Sequence, residues 1–443
     1  MPDRSAHLGS SEWREAFEKR LRLQAKLHRL TRFRALAASE PRFIDGNRCI
    51  YLVDGQDHLA WMLAAIASAR RRVDLEMYIV RADEVGALVR DALANAAGRG
   101  VVVRFMYDSI GSGELTHDFL EPMRVAGVHL VEFHPFAPWR LRIGRLGRKQ
   151  SWEPNHRDHR KLLVCDVPLD WATAAADGAP KPLPPDADPT PYGPSAVLAI
   201  TGGRNIAEEY LGLPPGGGQW RDSGLVVLGP VGRVLGEMFD AMWVHAAGPV
   251  VEAPPLDSPA MGTCAILPLG SQPGHINLLQ WAMARVATST VRELRISCAY
   301  FIPSLRWRRA LHAVAKRTNA CKVVIPLHND IPVVAAASRH FLGALLRGGV
   351  EIYRYAREVL HDKTIVYDRA VTLIGSSNVD QRSFRLNYEL SLLIVGGGLA
   401  EIVAQFHERD IEGSEPYTLA AWKARPWWGR LHDWFWSLFR NQL

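Results

Sequence analysis

The sequence predicts an α/β fold made of two tandem halves. Apolar runs rich in β-forming residues at 75–80 and 101–108 flank a helical segment that ends at Gly100, which is the pattern of a βαβ unit. The same order returns at 295–303, 304–320 and 322–330. A histidine-lysine motif then occurs once in each half. We therefore predict an imperfect tandem duplication of an α/β/α layered unit, with helices covering both faces of each sheet.

The repeat also gives the boundaries of the halves. The first half spans 41–250 and follows an N-terminal segment, 1–40, that is dominated by a basic helix. Prolines and small residues interrupt the pattern at 251–262, which we interpret as a linker. The second half spans 263–412, and a tryptophan-rich tail covers 413–443.

The basic helix, predicted over 12–38, has two interpretations. Apolar residues recur near helical spacing, and arginines and lysines fill much of the remaining surface. A helix of this kind can lie in a membrane interface, or it can pack on the protein with its basic face in water. The pattern favours neither.

Two insertions occur only in the first half. The segment 137–155 is basic and carries Trp139 and Trp152, so it predicts either a lid or interface anchor beside the site, or a plain surface loop. The segment 167–195 is rich in proline, alanine and aspartate, and we predict a solvated loop there.

The composition is that of an ordinary globular protein. The 443 residues are 48% hydrophobic and 22% charged, and the formal net charge is +7, which favours an anionic partner such as lipid headgroups or nucleic acid. Five scattered cysteines form no Cys/His cluster, so we predict neither a disulfide framework nor a structural zinc site. No apolar run reaches the length of about 18 residues that a membrane-spanning helix needs, and the first residues lack the apolar core of a secretory signal.

The C-terminal tail predicts an amphipathic helix. From Trp428 onward a helical apolar stripe contains Leu431, Trp434, Phe435, Leu438 and Phe439. Because tryptophan prefers the headgroup layer of a membrane, we favour a membrane-interface helix over one docked on the protein core. Trp436 lies off the stripe, and this position argues against its burial by protein alone.

The strongest chemical signal is a pair of HxKxxxxD motifs. The first consists of His159, Lys161 and Asp166, and the second consists of His361, Lys363 and Asp368. In each motif the histidine and lysine are two residues apart at the start of an apolar strand, so their side chains share one face. A single motif of this kind is weak because it is short. Two copies at matching places of a duplicated pattern are specific.

Each motif is followed by a glycine-asparagine turn and then by an acidic residue. The first turn, 202–205, ends in Asn205, and the second, 375–378, contains Ser376 and Asn378. The acidic residues are Asp222 and Glu389. A carboxylate bonded to one ring nitrogen of a histidine fixes the tautomer of that histidine. We expect each acidic residue to do this for the histidine of the opposite half.

These paired motifs resemble those of the phospholipase D superfamily, and the resemblance covers roughly residues 43–410. Shorter stretches resemble bacterial cardiolipin synthases of the short, peripherally bound kind; they lie at 46–55, 200–206, 220–224, 299–303 and 375–389. The fold implied by the resemblance is a tandem pair of phospholipase D-like α/β/α sandwich halves that share one active site at their interface. Gly203 stands where the family pattern often has serine, as in many cardiolipin synthases.

The resemblance implies a phosphohistidine mechanism that needs no metal and no other cofactor. One histidine attacks phosphorus, and the other protonates the leaving alkoxide and then deprotonates the acceptor alcohol. His159 is implied as the nucleophile and His361 as the acid and base, while the near symmetry of the halves leaves the reverse assignment open. The two lysines and the two turn asparagines would hold the phosphate. The aspartates of the motifs would either belong to the site or pin the loops.

We therefore expect a phosphatidyltransferase of the cardiolipin synthase type. Its substrates would be phosphatidylglycerol and a second phospholipid, and it would bind peripherally to an anionic membrane surface, on the cytoplasmic face of the inner membrane. The alternative is a phospholipase D-type phosphodiesterase that hydrolyses phospholipid or nucleic acid. Nucleic acid is the less favoured substrate, because the aromatic residues cluster at the C-terminus and not along a groove.

A third alternative, from a different class, is an inactive membrane-binding scaffold. Loss of any histidine, lysine or asparagine from the paired motifs would have indicated it. Both sets are complete in this sequence, which favours an enzyme. The sequence specifies neither the headgroup of the acceptor nor the oligomeric state.

Overall fold

The computed structural model describes residues 7–29, 41–136, 153–178, 180–181, 193–211, 220–274 and 277–443. The basic insertion predicted at 137–155 lies outside these residues except for 153–155. The helices are α1 (Ser11–Arg29), α2 (Gly55–Ser68), α3 (Glu84–Gly98), α4 (His117–Val125), α5 (Leu169–Asp177), α6 (Val231–His245), α7 (Leu278–Ser289), α8 (Leu305–Thr318), α9 (Pro332–Arg347), α10 (Gln381–Arg385), α11 (Leu399–Glu412), α12 (Leu419–Lys423) and α13 (Trp427–Ser437).

The strands alternate with these helices, and the α/β class predicted from the sequence is confirmed. They are β1 (Ile44–Leu52), β2 (Arg72–Met77), β3 (Val102–Asp108), β4 (His129–Phe133), β5 (Lys161–Pro168), β6 (Ser195–Gly202), β7 (Trp220–Arg221), β8 (Gly224–Leu228), β9 (Cys264–Ser271), β10 (Leu294–Cys298), β11 (Cys321–Pro326), β12 (Glu351–Tyr355), β13 (Val359–Leu360), β14 (Lys363–Tyr367), β15 (Val371–Gly375), β16 (Glu389–Val395) and β17 (Ser414–Pro416).

The chain divides into two compact units. The N-terminal unit comprises residues 32–217 and 224–268, and the C-terminal unit comprises 1–31, 218–223 and 269–443. The short strand β7 and the two residues after it therefore belong to the C-terminal unit, although they precede the linker in sequence.

The sheet of the N-terminal unit has the strand order β1-β8-β6-β5-β2-β3-β4. β2, β3 and β4 are parallel, as βαβ connections through α3 and α4 require. β5 is antiparallel to β2, and Met77 at the end of β2 lies opposite Lys161 at the start of β5. The residues that follow β2 and those that precede β5 are therefore at the same sheet edge.

The sheet of the C-terminal unit has the order β17-β12-β11-β10-β14-β15-β16. β10, β11 and β12 are parallel, and Cys298 at the end of β10 lies opposite Lys363 at the start of antiparallel β14. The motif strands β5 and β14 thus enter their sheets in the same register. Every residue of both strands is buried, because helices pack on these sheets, α2 on β5 and α11 on β14.

The N-terminal helix is docked on the protein in the part that the structure describes. Trp13, Phe17 and Leu21 of α1 are buried. The ring of Phe17 lies 6.0 Å from that of Trp281 on α7, centroid to centroid. Of the two interpretations of this helix, packing on the protein therefore holds for these residues. The predicted helix residues 30–38 lie outside the described part.

The prediction of a loop over 167–195 is wrong for its first part. β5 continues to Pro168, and α5 covers Leu169–Asp177. The alanines of this segment favour a helix, and Trp171, Ala172 and Ala175 form its buried face. The indole nitrogen of Trp171 donates a hydrogen bond to the carbonyl of Lys181 at 2.6 Å. Residues 182–192 are outside the described part.

The tail forms the predicted amphipathic helix, α13, but the expectation for Trp436 is wrong. Trp436 is half-buried and packs against a cluster that includes Ile302, Val334 and Phe341. The predicted stripe, by contrast, is exposed along its whole length. None of the described helices combines the length and the apolar character that crossing a membrane requires.

Candidate active site

In the N-terminal unit, His159 and Lys161 lie where the chain enters β5. The ammonium nitrogen of Lys161 donates a hydrogen bond to the carbonyl of His159 at 2.8 Å and lies 5.1 Å from the centroid of the Tyr78 ring. The same tyrosine ring stands edge-on to the imidazole of His159, with 4.8 Å between centroids. Histidine and lysine are both largely buried. Tyr78, which sequence reasoning missed, therefore restricts both side chains.

The strand end that carries His159 rests on buried charged groups. The backbone N–H of Asp158 donates to the carboxylate of Asp108 at 2.9 Å. Burial raises the pKa of Asp158 to about 6, although the charge of Arg160 opposes this. Burial, reinforced by the charge of Asp158, raises the pKa of Glu76 well above its ordinary value. These groups surround the backbone on either side of His159 and fix its course.

In the C-terminal unit, His361 and Lys363 occupy the matching positions where the chain enters β14. The imidazole Nδ1 of His361 lies 2.6 Å from Oδ2 of Asp222. The ammonium of Lys363 donates to the carbonyl of His361 and stands 3.0 Å from the same Nδ1. The rings of Trp220 and Tyr300 are 5.1 Å and 6.0 Å from the imidazole, centroid to centroid. The structure therefore contains the contact between Asp222 and His361 that the sequence predicts.

The chemical state of His361 follows from these neighbours. A carboxylate accepts and does not donate, so the contact with Asp222 requires the proton on Nδ1. Burial, and then the positive charge of Lys363, lowers the pKa of His361, and Asp222 opposes this effect. The imidazole is therefore neutral at physiological pH, the state that a nucleophile or a general base requires.

An ion pair that sequence reasoning missed holds the backbone of Asp222 in place. The guanidinium of Arg221 binds the carboxylate of Asp410 on α11 through two hydrogen bonds of 3.0 Å and 2.8 Å. Both side chains are buried. The carbonyl of Arg221 also accepts from the backbone N–H of His361 at 2.8 Å. The residues on either side of the Asp222–His361 contact are thus joined by backbone and side chain.

A second buried chain of hydrogen bonds reaches the same segment. The hydroxyl of Ser223 donates to Asp362, and the backbone N–H of Ser223 donates to Asp222 at 2.7 Å. Thr364 donates to the other oxygen of Asp362 at 2.6 Å and lies 2.7 Å from Nε2 of His407 on α11. The stretch WRDS at 220–223 is the only sequence signal for this network, and it gives no indication of the residues on α11.

The two turn asparagines have the same structural position in their units. Oδ1 of Asn205 accepts from the backbone N–H of Ile79 at 3.2 Å, and Oδ1 of Asn378 accepts from that of Tyr300 at 3.3 Å. Ile79 and Tyr300 each follow the strand beside the motif strand. The amide oxygens are thus used to fix these strand ends. The amide nitrogen of Asn205 donates to the hydroxyl of Tyr210 at 2.6 Å.

Ser376 and Glu389 are bound to each other. The hydroxyl of Ser376 donates to Oε2 of Glu389, and the amide nitrogen of Asn387 lies 3.3 Å from Oε1. Both Ser376 and Glu389 are fully buried. The carboxylate of Glu389 is therefore held in a fixed orientation by the turn of its own unit.

The aspartates of the two motifs bind loop backbone. Asp166 accepts from the backbone N–H groups of Arg71 and Arg72 at 3.0 Å and 2.8 Å. Asp368 accepts from three consecutive backbone N–H groups, those of residues 291–293, at 2.7 to 3.0 Å. These are the loops that lead into β2 and β10. The contacts favour the second of the two predicted roles, in which these aspartates pin loops.

A neutral buried histidine with a lysine beside it and a carboxylate on its second nitrogen is suited to attack at phosphorus. That full set of partners is seen at His361. The histidine-lysine pair itself lies at the start of an antiparallel strand that follows three parallel ones, in the same register in both units, and this defines a phospholipase D-like domain pair. Among the described residues, no group of three or more histidine, cysteine or acidic side chains has the arrangement of a metal site.

Comparisons with known proteins agree with this class. The profile of the family described as "cardiolipin synthase, PLD-like domain" matches residues 283–411. A cardiolipin synthase of Halalkalibacterium halodurans is 30% identical over 86% of this chain and 69% of its own length. Cardiolipin synthase A of Pseudomonas aeruginosa is 30% identical over 94% of this chain and 78% of its own length.

The fold has a solved counterpart in the phosphatidylserine synthase of Haemophilus influenzae. That protein is 12% identical, with a TM-score of 0.63 over 96% of this chain and all of that one, a likeness of fold alone. Together with the sequence relatives, it confirms the resemblance inferred from the paired motifs. The chain belongs to the cardiolipin synthase family of phospholipase D-like phosphatidyltransferases.

Proposed function

We propose that this chain transfers a phosphatidyl group from phosphatidylglycerol to an alcohol on a second phospholipid and releases glycerol. One observation carries the proposal. In a chain of the cardiolipin synthase family, the imidazole of His361 is buried against Asp222 and Lys363. This environment gives a neutral, oriented histidine, as covalent or general-base catalysis at a phosphodiester requires.

The reaction consists of two displacements at phosphorus. In the first, Nε2 of one histidine attacks, an N–P bond forms, and the bond from phosphorus to the glycerol oxygen breaks while the other histidine gives a proton to that oxygen. In the second, the acceptor alcohol returns a proton to the second histidine, its oxygen attacks phosphorus, and the N–P bond breaks. Lys161 and Lys363 stabilise the negative charge of the phosphate oxygens in both steps.

We assign the nucleophile to His159 and the acid and base to His361, as the family resemblance implies. Asp222 orients His361, and Glu389, fixed by Ser376, is the second orienting carboxylate. Asn205 and Asn378 each hold the end of the strand that neighbours the motif strand of their own unit. The lowered pKa of His361 suits a nucleophile or a base, whereas the first displacement requires the protonated imidazole as the acid. The assignment therefore calls for direct trapping of the intermediate.

We further infer that the enzyme works at an anionic membrane surface, bound peripherally to the cytoplasmic face of the inner membrane. The net charge of +7 supports attraction to acidic phospholipids. Transfer requires the acceptor alcohol to compete with water, which a site at the bilayer surface favours.

The test is an incubation of the purified protein with phosphatidylglycerol vesicles, alone and with a second phospholipid, followed by mass spectrometry of the lipids. The variants are His159→Ala and His361→Ala, and the matched control is the exposed His117→Ala. We expect cardiolipin from the wild type and the control, and none from either motif variant. Phosphatidic acid as the sole product would mean hydrolysis, and no lipid product in any mixture would refute the proposal.

The nucleophile is identified with a phosphatidyl p-nitrophenyl ester labelled in its phosphate, because p-nitrophenolate leaves without help from an acid. We expect acid-labile, base-stable label to remain on the protein in His361→Ala, because its intermediate lacks the base that activates the acceptor. Label in His159→Ala instead would reverse the assignment of the two histidines.

A further inference from the structure

The helix α13 is docked on the C-terminal unit by one of its faces. Asp433 is buried and binds Arg339 of α9 at 2.9 Å and also Arg425. Trp436 and the terminal Leu443 pack against the cluster around Ile302. An ion pair and an apolar contact therefore fix the rotation of α13 about its own axis.

The opposite face of α13 and of the turn after it is apolar and exposed. Trp427, Trp428, Leu431, Trp434, Leu438 and Phe439 are between 45% and 70% exposed. A helix on a protein surface ordinarily shows its polar face to water. A contiguous exposed apolar patch of this kind marks an interaction surface.

The charges around the patch select an anionic bilayer as its occupant. Arg430 and Arg440 are exposed beside it, and Lys423 is exposed one turn earlier in the chain. The single acidic residue from 416 to 443 is Asp433, and it is neutralised in the docked face by two arginines. Tryptophan with arginine is the composition that prefers the headgroup layer. A second copy of the same surface would instead bring like charges together with no acid to pair them.

The docked face of α13 is connected to the residues around His361. Trp436 and Tyr300 pack against the same cluster, which includes Ile302, and the ring of Tyr300 is 6.0 Å from the imidazole. Arg382 donates from its backbone to the carbonyl of Leu443 at 3.3 Å and from its guanidinium to that of Gln442 at 3.0 Å. Arg382 is the second residue of α10, which follows the turn of Asn378. The C-terminal residues are thus tied to the turn of the second motif and to the cluster on which Tyr300 packs.

We propose that the exposed face formed by Trp427, Trp428, Leu431, Trp434, Leu438 and Phe439 is a surface that docks the C-terminal unit on an anionic bilayer. The proposal deepens the proposed function and rests on it only for the identity of the lipid that is turned over. Docking through α13 attaches the C-terminal unit to the bilayer without any movement of the helix, because the other face of the helix is already fixed on that unit.

The experiment replaces exposed side chains and leaves the docked face intact. Deletion of α13 would also remove Trp436 and Asp433, so the test variant is instead Trp427→Ser, Trp428→Ser and Trp434→Ser combined. The matched control is Val291→Ser with Ile402→Ser, which removes exposed apolar side chains elsewhere in the same unit. Binding is measured by sedimentation with vesicles of phosphatidylcholine containing phosphatidylglycerol. Turnover is measured on the same vesicles and on a short-chain phosphatidylglycerol that dissolves as monomers.

We expect the triple variant to bind vesicles at least about tenfold more weakly, because three large aromatic side chains no longer enter the interface. Its turnover of the soluble substrate should stay within about twofold of wild type, and the control should match wild type in every measurement. Vesicle binding by the triple variant that equals wild type overturns the proposal. Loss of a dimer in the triple variant, with vesicle binding unchanged, would assign the surface to a second copy and also overturn it.

The outcomes separate this proposal from the proposed function. Sedimentation requires no turnover, so the docking surface is tested even if no lipid product forms. Conversely, the wild type could make cardiolipin while the triple variant still sediments with vesicles. That result would support the proposed function and refute only the docking surface.

Discussion

The buried pair of Arg221 and Asp410 gives the sharpest test of how the site is held. We consider Asp410→Leu, which leaves the guanidinium of Arg221 buried without its carboxylate. In the native protein two hydrogen bonds of 3.0 Å and 2.8 Å join these groups, and each side chain is 6% exposed. Removal of one partner of such a pair costs about 3 to 5 kcal/mol. Asp410→Leu should therefore be strongly destabilised.

The pair itself adds little to stability. Burial raises the pKa of Asp410, and the charge and hydrogen bonds of Arg221 only partly oppose this, so desolvation of the carboxylate outweighs its attraction to the arginine. Replacement of a buried pair by apolar residues of similar volume is often neutral. Arg221→Met combined with Asp410→Leu should accordingly recover most of the stability, to within about 1 kcal/mol of wild type.

Activity should not recover with stability. Arg221 is adjacent to Asp222, and without the anchor on α11 the carboxylate is free to shift away from Nδ1 of His361. A misplacement of about 1 Å costs about 10²-fold in rate. The double variant should therefore fold like wild type and turn over substrate about 10²-fold more slowly.

The assay combines urea unfolding with turnover of a soluble short-chain substrate, and Asp222→Asn is the reference. If Arg221 and Asp410 act through Asp222, the double change in an Asp222→Asn background should cause no further loss of kcat. The control is Arg233→Gln with Glu237→Gln, an exposed pair on α6 that should leave both measurements nearly unchanged. A double variant with native stability and native kcat would refute the positioning role.

Two further predictions concern His407 and Asp368. Burial lowers the pKa of His407 to about 4, below the value of about 6.5 in the unfolded chain, so its contribution to stability is complete above pH 6.5 and falls by about 3 kcal/mol toward pH 4. His407→Gln should reduce the change in the free energy of unfolding between pH 6.5 and pH 4 by about 3 kcal/mol, as measured by urea titration. The exposed His117→Gln should leave this change unaltered. The same pH dependence in His407→Gln and in the wild type would contradict the burial argument. Asp368→Ala should destabilise the protein by about 3 kcal/mol, because three backbone N–H groups lose their acceptor and alanine would have to adopt a φ of 53°. Asp368→Asn should recover part of this loss at unchanged kcat, whereas a loss of kcat at native stability would place Asp368 among the reacting groups.

Much of the fold could be predicted because short-range sequence patterns indicate the repeated strands and helices. The alternation of apolar strands with helices marks β2, α3 and β3, and marks β10, α8 and β11 again. The helix at Leu169–Asp177 was missed because the prolines and aspartates of 167–195 as a whole outweighed the helix preference of its alanines. Trp171 decides between helix and loop, because its side chain is buried against Trp61, which is far away in sequence.

The site could be predicted only where a spacing rule exists. His361 and Lys363 share a face because they are two residues apart on a strand, and the contact with Asp222 follows from the order of the motifs. Asp410 and His407 had no such signal. They lie on α11 among ordinary helical residues, and only packing of α11 on β14 brings them to Arg221 and Thr364.

The helix α13 shows that an apolar stripe alone does not predict whether the stripe packs on the protein or faces the surroundings. Both faces carry tryptophan, and either could have been buried. The decisive residue is Asp433, since a buried carboxylate needs a partner, and Arg339, far away in sequence on α9, supplies one. Asp433 lies on the same face as Trp436, so docking of that face turns the stripe through Leu431 and Trp434 outward. The less apolar face meets the protein and the more apolar face meets the surroundings. This inversion of the ordinary surface helix, more than the number of tryptophans, is what favours lipid as its partner.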